Sequence, residues 1–254
     1  MVSNNTGGSW LQRIPPATRV ILLLCVGVWL VGFISPSFNY LALRKLGLHF
    51  WEASAFNPIQ LVTYLFVHGN FMHLFFNMFA LFSFGALLER VWGTQRFLIF
   101  YFVCGVGAGL VQEVIWACSW QTEYISAVAM DNHRAVSEIK DTILSEISEG
   151  ATQRMANVAM FQNLLVTIGA SGAIFGLLVG FAFVFPNMPM YLFFIPVPIK
   201  AKYMMIGYGL IELVFGVSGT LSSVAHYAHL GGMVFGLVLV YWYKKKGTLH
   251  GRFF

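Results

Sequence analysis

Three short stretches of the chain carry the side chains that a serine hydrolase uses. They are HGNFMHLFFN (68–77), GASGAIFG (169–176) and AHYAHLGGMVFG (225–236). Each lies at the start of an apolar segment long enough to cross a bilayer. Because alternate helices of a serpentine chain enter a membrane from the same side, we expect the three stretches to meet near one face. Polar side chains inside a bilayer are costly and are commonly functional, so these are candidates for chemistry.

Ser171 is the candidate nucleophile and His229 the candidate base. A free hydroxyl is a weak nucleophile, so Ser171 needs a base within roughly 2.6–3.2 Å. Gly169 and Gly172 flank Ser171 and leave its oxygen unscreened. His226 lies one turn before His229 and is the rival base, for which we expect a structural role.

Glycines spaced four apart accompany both candidates. Gly172 and Gly176 follow the serine, and Gly232 and Gly236 follow the histidine. Helices with such glycine faces can pack backbone to backbone, which would bring the serine to the histidine. The same spacing is common in helices that only pack closely, so by itself it does not specify chemistry.

His73 and Asn77 are candidates for stabilising an oxyanion. Their i, i+4 spacing places them on one face of a helix, and both can donate hydrogen bonds to developing negative charge. The backbone N–H of Ser171 lies at the positive end of its helix and can act with them. His68 is either a third donor or a loop anchor, and we favour the anchor.

No aspartate lies in an apolar segment, so the sequence offers no Ser-His-Asp triad. Glu113 and Glu212 are the carboxylates within these segments. Either could orient a histidine, and a hydrogen-bonded packing role is equally open, so a two-residue dyad is the simpler hypothesis. Glu89 and Arg90 are far from the serine along the predicted helix, and we interpret them as a structural pair.

Composition indicates that these groups are positioned by membrane helices. The chain is 58% hydrophobic and 10% charged, with a mean hydropathy of +0.72, whereas soluble domains average about a quarter charged residues. We predict an all-α polytopic membrane protein, a six-transmembrane-helix bundle. The predicted spans are 19–35, 71–88, 97–118, 169–185, 201–217 and 226–243, because helical spans need about 20 residues.

The basic residues predict the orientation of the bundle. With both termini in the cytoplasm, that side holds twice as many of them as the outer side, as the positive-inside rule requires. The cytoplasmic set is Arg13, Arg19, Arg90, Arg96, Lys200, Lys202, Lys244, Lys245, Lys246 and Arg252, and the outer set is Arg44, Lys45, Arg134, Lys140 and Arg154.

This orientation divides the chain into a cytoplasmic N-terminal segment (1–18), the membrane domain (19–243) and a basic cytoplasmic tail (244–254). The cell (inner) membrane is the predicted location, with the lipid bilayer as surroundings. The basic run 244–246 directly follows an apolar helix, which is typical of a membrane stop signal, so we expect no nucleic-acid partner.

Two predicted outer connections are long. Residues 36–70 are too aromatic for a solvated linker and predict an amphipathic element lying in the interface. Residues 119–160 are polar and predict a small helical hairpin outside the membrane, broken at Gly150. Its apolar residues recur at helical spacing: Val136, Ile139, Ile143 and Ile147. We expect this insertion to cap neighbouring loops, with a substrate or partner contact as the alternative.

Together these motifs resemble those of the rhomboid family of intramembrane serine proteases. The resemblance covers the six predicted spans in order. It rests on His68, His73 and Asn77 in the second span, Glu89–Arg90 closing it, Gly169-x-Ser171-Gly172 in the fourth, and Ala228–His229 with Gly232 and Gly236 in the sixth.

The resemblance implies a Ser171–His229 dyad that cleaves transmembrane protein substrates without a metal or organic cofactor. It also implies an oxyanion site of His73, Asn77 and the Ser171 amide, and a mobile fifth helix that admits substrate. The insertion at 119–160 departs from the family, whose corresponding loop is usually short, and it leaves substrate access open.

Two other classes of protein remain open from the sequence. One is a catalytically inactive relative that binds membrane clients without cutting them. The other is a haem-binding or proton-conducting protein that uses paired histidines such as His73 and His229. The second leaves the glycines around Ser171 unexplained.

Overall fold

Helices form most of the chain, as the apolar periodicity predicts. The computed structural model describes residues 13–192, 195–218 and 225–247. The helices are α1 Pro16–Ile34, α2 Pro36–Leu46, α3 Gln60–Thr63, α4 Phe71–Ala80, α5 Ala86–Trp92, α6 Thr94–Asp131, α7 Val136–Ser148, α8 Thr152–Leu164, α9 Ser171–Val184, α10 Ala201–Ser218 and α11 His226–Lys245. Four short strands are β1 Leu48–His49, β2 Val166–Thr167, β3 Pro189–Leu192 and β4 Ile195–Lys200. The predicted all-α membrane fold is confirmed.

Among the described residues, three helical segments have the length and apolar character to cross a membrane. They are Pro16–Ile34, Phe71–Trp92 and Thr94–Asp131, and an 18-residue stretch within each has a mean hydropathy of 2.3, 1.7 and 1.9, respectively. The second is α4 and α5 joined by one π-helical turn. Helix α9 is apolar but has 14 residues, and α10 and α11 have 18 and 20. The count of six spans and the orientation of the termini stay predictions.

Large apolar side chains cover the outside of these helices. Phe71, Phe75 and Phe79 are all exposed and stack along one face of α4. An exposed apolar surface of this kind is typical of a face that contacts lipid or another protein. Most of the predicted N-terminal segment (1–18) and of the basic tail (244–254), including Arg252, lies outside the described residues.

Glu89 and Arg90 both hold the beginning of α1. The Glu89 carboxylate accepts hydrogen bonds from the backbone N–H groups of Ala17 and Thr18 at 2.9 and 2.8 Å, and also from the Thr18 hydroxyl at 2.7 Å. The guanidinium of Arg90 donates to the Arg13 carbonyl at 2.9 Å. A carboxylate at a helix N-terminus satisfies its free N–H groups. These contacts tie α5 to the beginning of α1, and the Glu89 carboxylate also accepts from the Thr94 hydroxyl at 2.8 Å, so we assign both residues a structural role.

Helices α9 and α11 pack backbone to backbone through their glycines. A Cβ placed on Gly232 would collide with the Gly172 carbonyl oxygen, and one on Gly236 would lie 2.9 Å from the Gly176 carbonyl oxygen. Helix α6 closes on α9 from another side, where a Cβ on Gly172 would lie 2.5 Å from the Cβ of Ala108. The glycine spacing thus produces the close approach that the sequence predicts.

A short antiparallel pair joins the first long connection to the chain that enters α9. Leu48 of β1 lies opposite Thr167 of β2, and His49 lies opposite Val166. The backbone N–H of Phe50 extends the pairing by donating to the Leu165 carbonyl at 3.0 Å. The chain leading to α9 is therefore anchored immediately before the serine.

The polar insertion is more helical than the sequence predicts. Helix α6 does not end near residue 118 but continues to Asp131, and α7 and α8 follow it. Gly150, with a φ of +69°, separates α7 from α8. The insertion buries a small core of its own, formed by Tyr124, Ile125, Ala129, Ile139, Ile143 and Val158. It therefore packs largely upon itself.

Candidate active site

Ser171 is the first residue of α9 and is reached through a constrained glycine. Gly169 has a φ of +114°, a conformation that side chains rarely adopt, and its N–H donates to the Tyr64 carbonyl at 2.9 Å. A Cβ on Gly169 would also lie 2.5 Å from Nε2 of His73. Glycine is thus required at this position by both the backbone conformation and the neighbouring ring.

The structure brings His229 to Ser171. Nε2 of His229 lies 2.7 Å from Oγ of Ser171, within the reach that general-base catalysis needs. Phe175 stacks on the His229 ring, with 4.3 Å between ring centroids and 12° between planes. Phe175 was not predicted as a site residue, although its i+4 spacing from Ser171 places it on the same helix face.

Glu212 lies against the other side of His229. Its Oε2 accepts a hydrogen bond from Nδ1 of His226 at 2.6 Å, and Nδ1 of His229 lies 3.0 Å from the same oxygen. The shorter contact is aligned as a hydrogen bond, whereas the 3.0 Å approach is a close electrostatic contact without that alignment. One carboxylate oxygen therefore serves two histidines.

These three side chains have the donor types of a zinc site, and their ligand atoms lie within 4.8 Å of one another. Their short mutual contacts already account for the arrangement as a hydrogen-bonded group, so we assign no metal to it. Glu113, another buried carboxylate, contacts a different part of the molecule, because its Oε2 accepts from the backbone N–H of Trp51 at 2.7 Å. Glu113 thus holds the first long connection.

His73 and Asn77 lie on the wall of the same cavity as Ser171. The side-chain amide of Asn77 donates to the His73 carbonyl one turn earlier, at 2.8 Å. One of its two N–H groups is therefore engaged within its own helix. The backbone N–H of Ser171, at the first residue of α9, belongs to the helix-terminal groups that have no intrahelical acceptor. It therefore lies at the positive end of the helix dipole.

His68 anchors the turn before the serine. It is 3% exposed, and its Nε2 accepts a long hydrogen bond of 3.5 Å from the backbone N–H of Ala170. Its ring meets that of His73 edge-on at 5.1 Å. Burial and the neighbouring His73 lower the pKa of His68 to about 3. The neutral ring is thus the form that this position favours.

The cavity around Ser171 and His229 has a volume of about 1170 Å³. Polar and apolar side chains both line it, and Phe76, Phe79 and Met205 are among the apolar ones. Mostly apolar cavities with a few polar groups are typical of binding sites. It can therefore place an apolar segment beside a nucleophile, a base and hydrogen-bond donors.

Comparisons with known proteins identify a family. The family model described as "Rhomboid domain" matches residues 55–121 and 136–246, well over half of the chain. The unmatched stretch between them, 122–135, includes the end of α6 and falls within the polar insertion.

Several curated proteins are similar to the chain. Rhomboid protease AarA of Providencia stuartii is 26% identical over 241 residues, covering 87% of this chain and 69% of that protein. Rhomboid protein 1, mitochondrial, of Saccharomyces cerevisiae is 27% identical over 195 residues, covering 76% and 43%. Rhomboid-like protein 11, chloroplastic, of Arabidopsis thaliana is 28% identical over 203 residues, covering 72% and 51%. The chain thus spans about half the length of the last two.

Proposed function

Because this chain belongs to the rhomboid family, we propose that it is an intramembrane serine endopeptidase. Its substrates are transmembrane proteins, cleaved in or near the bilayer. The observation that carries the proposal is the 2.7 Å contact between Nε2 of His229 and Oγ of Ser171. These two atoms belong to separate helices held together by glycine-mediated packing, so the contact is a product of the fold.

The reaction uses the two side chains in turn. As Oγ of Ser171 attacks the scissile carbonyl, its proton passes to Nε2 of His229. The imidazolium then gives this proton to the leaving amine, and the carbonyl carbon remains bound to Oγ as an acyl-enzyme. His229 then takes a proton from a water molecule, whose oxygen attacks the acyl carbon. The proton passes to Oγ of Ser171 as the ester bond breaks, which frees Ser171 and a new carboxyl terminus.

The oxyanion is stabilised by donors on two helices. The Ser171 N–H approaches from the start of α9, and His73 and the remaining amide N–H of Asn77 approach from α4. In a site shielded from bulk water such donors are strong, and each typically contributes about 100- to 1,000-fold in rate. His68 supports the group by holding Ala170, next to the nucleophile.

The proposed setting is a cell membrane with both termini in the cytoplasm, the bilayer surrounding the helices and the serine near the outer face. The apolar cavity wall suits a hydrophobic substrate segment, and the polar side chains of Ser171, His73 and Asn77 admit the hydrolytic water. Neither metal nor organic cofactor enters the proposed reaction.

The test is active-site labelling of the detergent-purified protein with a fluorescent fluorophosphonate, which needs no knowledge of the natural substrate. We expect wild type to be labelled and Ser171→Ala and His229→Ala to be unlabelled while keeping their melting temperatures. The half-buried Ser119 and the exposed His133 lie outside the site and provide matched controls, because Ser119→Ala and His133→Ala should label like wild type. Well-folded wild type that stays unlabelled would favour an inactive, client-binding relative.

A further inference from the structure

Helix α10 is exposed along most of its length but buries one carboxylate. Of its described residues only Ala201 and Glu212 are buried, and Ala201 is at its first position. Neighbouring positions such as Leu210, Ile211 and Leu213 are exposed. Burying an ionisable side chain in an apolar setting is costly unless it is paired. Glu212 is the one buried polar side chain among the described residues of α10, so its burial is the feature that needs a chemical reason.

We infer that Glu212 is a positioning residue for His229, which extends the Ser171–His229 pair to a Ser–His–Glu arrangement. This inference rests on the proposed function. Its geometric basis is the chain of contacts from Oγ of Ser171 to Nε2 of His229 at 2.7 Å, and from Nδ1 of His229 to Oε2 of Glu212 at 3.0 Å. The two ring nitrogens thus face the nucleophile and the carboxylate.

The hydrogen-bonding roles follow from these contacts. To take the Ser171 proton, Nε2 of His229 must be unprotonated, so in the neutral ring Nδ1 carries the hydrogen. A carboxylate only accepts hydrogen bonds, and Oε2 of Glu212 is the acceptor beside that nitrogen. When the proton arrives on Nε2, the positive imidazolium is stabilised by the adjacent negative charge. The proton stays on His229 until the leaving group takes it, and Glu212 remains ionised throughout.

His226 fixes the carboxylate that His229 uses. Its Nδ1 donates the aligned 2.6 Å hydrogen bond to Oε2, and its ring meets that of His229 edge-on at 6.4 Å. The looser contact to His229 is consistent with a resting enzyme, because catalytic hydrogen bonds often align only in the reacting complex. His226 is therefore a support for Glu212, and not the rival base that its position in the sequence allows.

A purely structural tether between α10 and α11 is the competing explanation. It would depend mostly on the aligned bond to His226, since that is the shorter contact. A positioning role depends instead on the charge beside His229. The two explanations therefore predict different relative losses of labelling rate for substitutions of Glu212 and of His226. Glu113, which is also a buried carboxylate, provides a matched control away from the serine.

The experiment measures fluorophosphonate labelling as a maximal rate and a half-saturating probe concentration, together with the melting temperature. We expect Glu212→Gln to lower the maximal rate about 100-fold, within the 10²–10⁴ that a positioned base contributes, with half-saturation and melting temperature close to wild type. Glu212→Asp, which keeps the charge but withdraws it, should be intermediate. We expect Glu113→Gln to label like wild type and His226→Phe to lose less than about 10-fold, because the carboxylate remains.

Wild-type labelling in Glu212→Gln would overturn the inference, as would equal losses of rate and melting temperature in Glu212→Gln and His226→Phe. If Glu212→Gln does not fold, Glu212→Asp decides, since a wild-type maximal rate there would also overturn it. Failure of the proposed function is distinct: wild type would then label no faster than Ser171→Ala, and the inference would fall with it.

Discussion

Replacing Gly232 by alanine should separate the nucleophile from its base without touching either. The added Cβ would collide with the Gly172 carbonyl oxygen, next to Ser171 in the chain. Helix α9 must therefore move away from α11, since backbone cannot yield as a flexible side chain does. Gly232 lies three residues from His229, or roughly 4.5 Å along the helix at 1.5 Å per residue. Over this short distance the movement of α9 relative to α11 should change the separation of Ser171 and His229 by nearly the same amount.

A second glycine, Gly236, allows the size of the helix displacement to be compared at two positions. A Cβ on Gly236 would lie 2.9 Å from the Gly176 carbonyl oxygen, so the helices must part by roughly 0.5 Å to reach an ordinary C···O contact of about 3.3–3.6 Å. The collision at Gly232 is more severe and demands a larger movement. The 2.7 Å contact between Ser171 and His229 would then exceed hydrogen-bond length, and a misplacement of about 1 Å can cost about 100-fold in rate.

We therefore expect Gly232→Ala to lower the rate of fluorophosphonate labelling by at least about 100-fold, and Gly236→Ala by a smaller factor. Gly207→Ala on α10 is the matched control, because its Cβ would meet nothing within 4 Å. It should label like wild type and melt at the same or a slightly higher temperature, since alanine favours the helix. Equal labelling of Gly232→Ala and Gly207→Ala would refute the idea that glycine packing aligns the site.

Two further predictions concern the groups beside the serine. Loss of a full oxyanion donor typically costs about 100-fold or more in rate, and we expect Asn77→Ala to slow labelling by less than that. The reason is that one Asn77 N–H is bound to the His73 carbonyl and that the Ser171 amide remains. A loss as complete as in Ser171→Ala would contradict this prediction. Since the pKa of His68 is lowered to about 3 from 6.5, the unfolded chain binds its proton first as pH falls. The melting temperature of wild type should then drop below pH 6.5 more steeply than that of His68→Gln, and parallel curves would show that His68 contributes nothing.

Contacts that depend on local spacing can be predicted from the amino-acid sequence alone. Gly172 and Gly176, like Gly232 and Gly236, recur at the helical period, so a shared face and close packing follow directly from their positions in the chain. The apolar segments likewise predict where long helices occur. The helix that contains the predicted span 97–118 continues to Asp131, because the polar residues after 118 conceal a continuing helical period in Tyr124, Ile125 and Val128.

Contacts between distant segments cannot be inferred in the same way. Glu212 and His229 lie on separate helices, and no spacing rule predicts whether the two helix faces meet. The sequence therefore cannot distinguish a carboxylate that orients the histidine from one that only makes a packing contact. The engagement of Asn77 is also hidden, since the i, i+4 spacing that places it beside His73 equally permits a hydrogen bond to the His73 carbonyl. Spacing identifies a shared face, but not which acceptor on that face is used.

The β1–β2 pair allows the insertion to change in length without altering the position of Ser171. Along the chain, β2 lies between α8 and Gly169, and β2 is held to β1 by backbone pairing. Because the entropic cost of closing a longer loop rises only slowly with its length, whole helices can be gained or lost on the far side of this clamp. The insertion is thereby a module whose size and surface can diverge between relatives at little cost to the reacting groups.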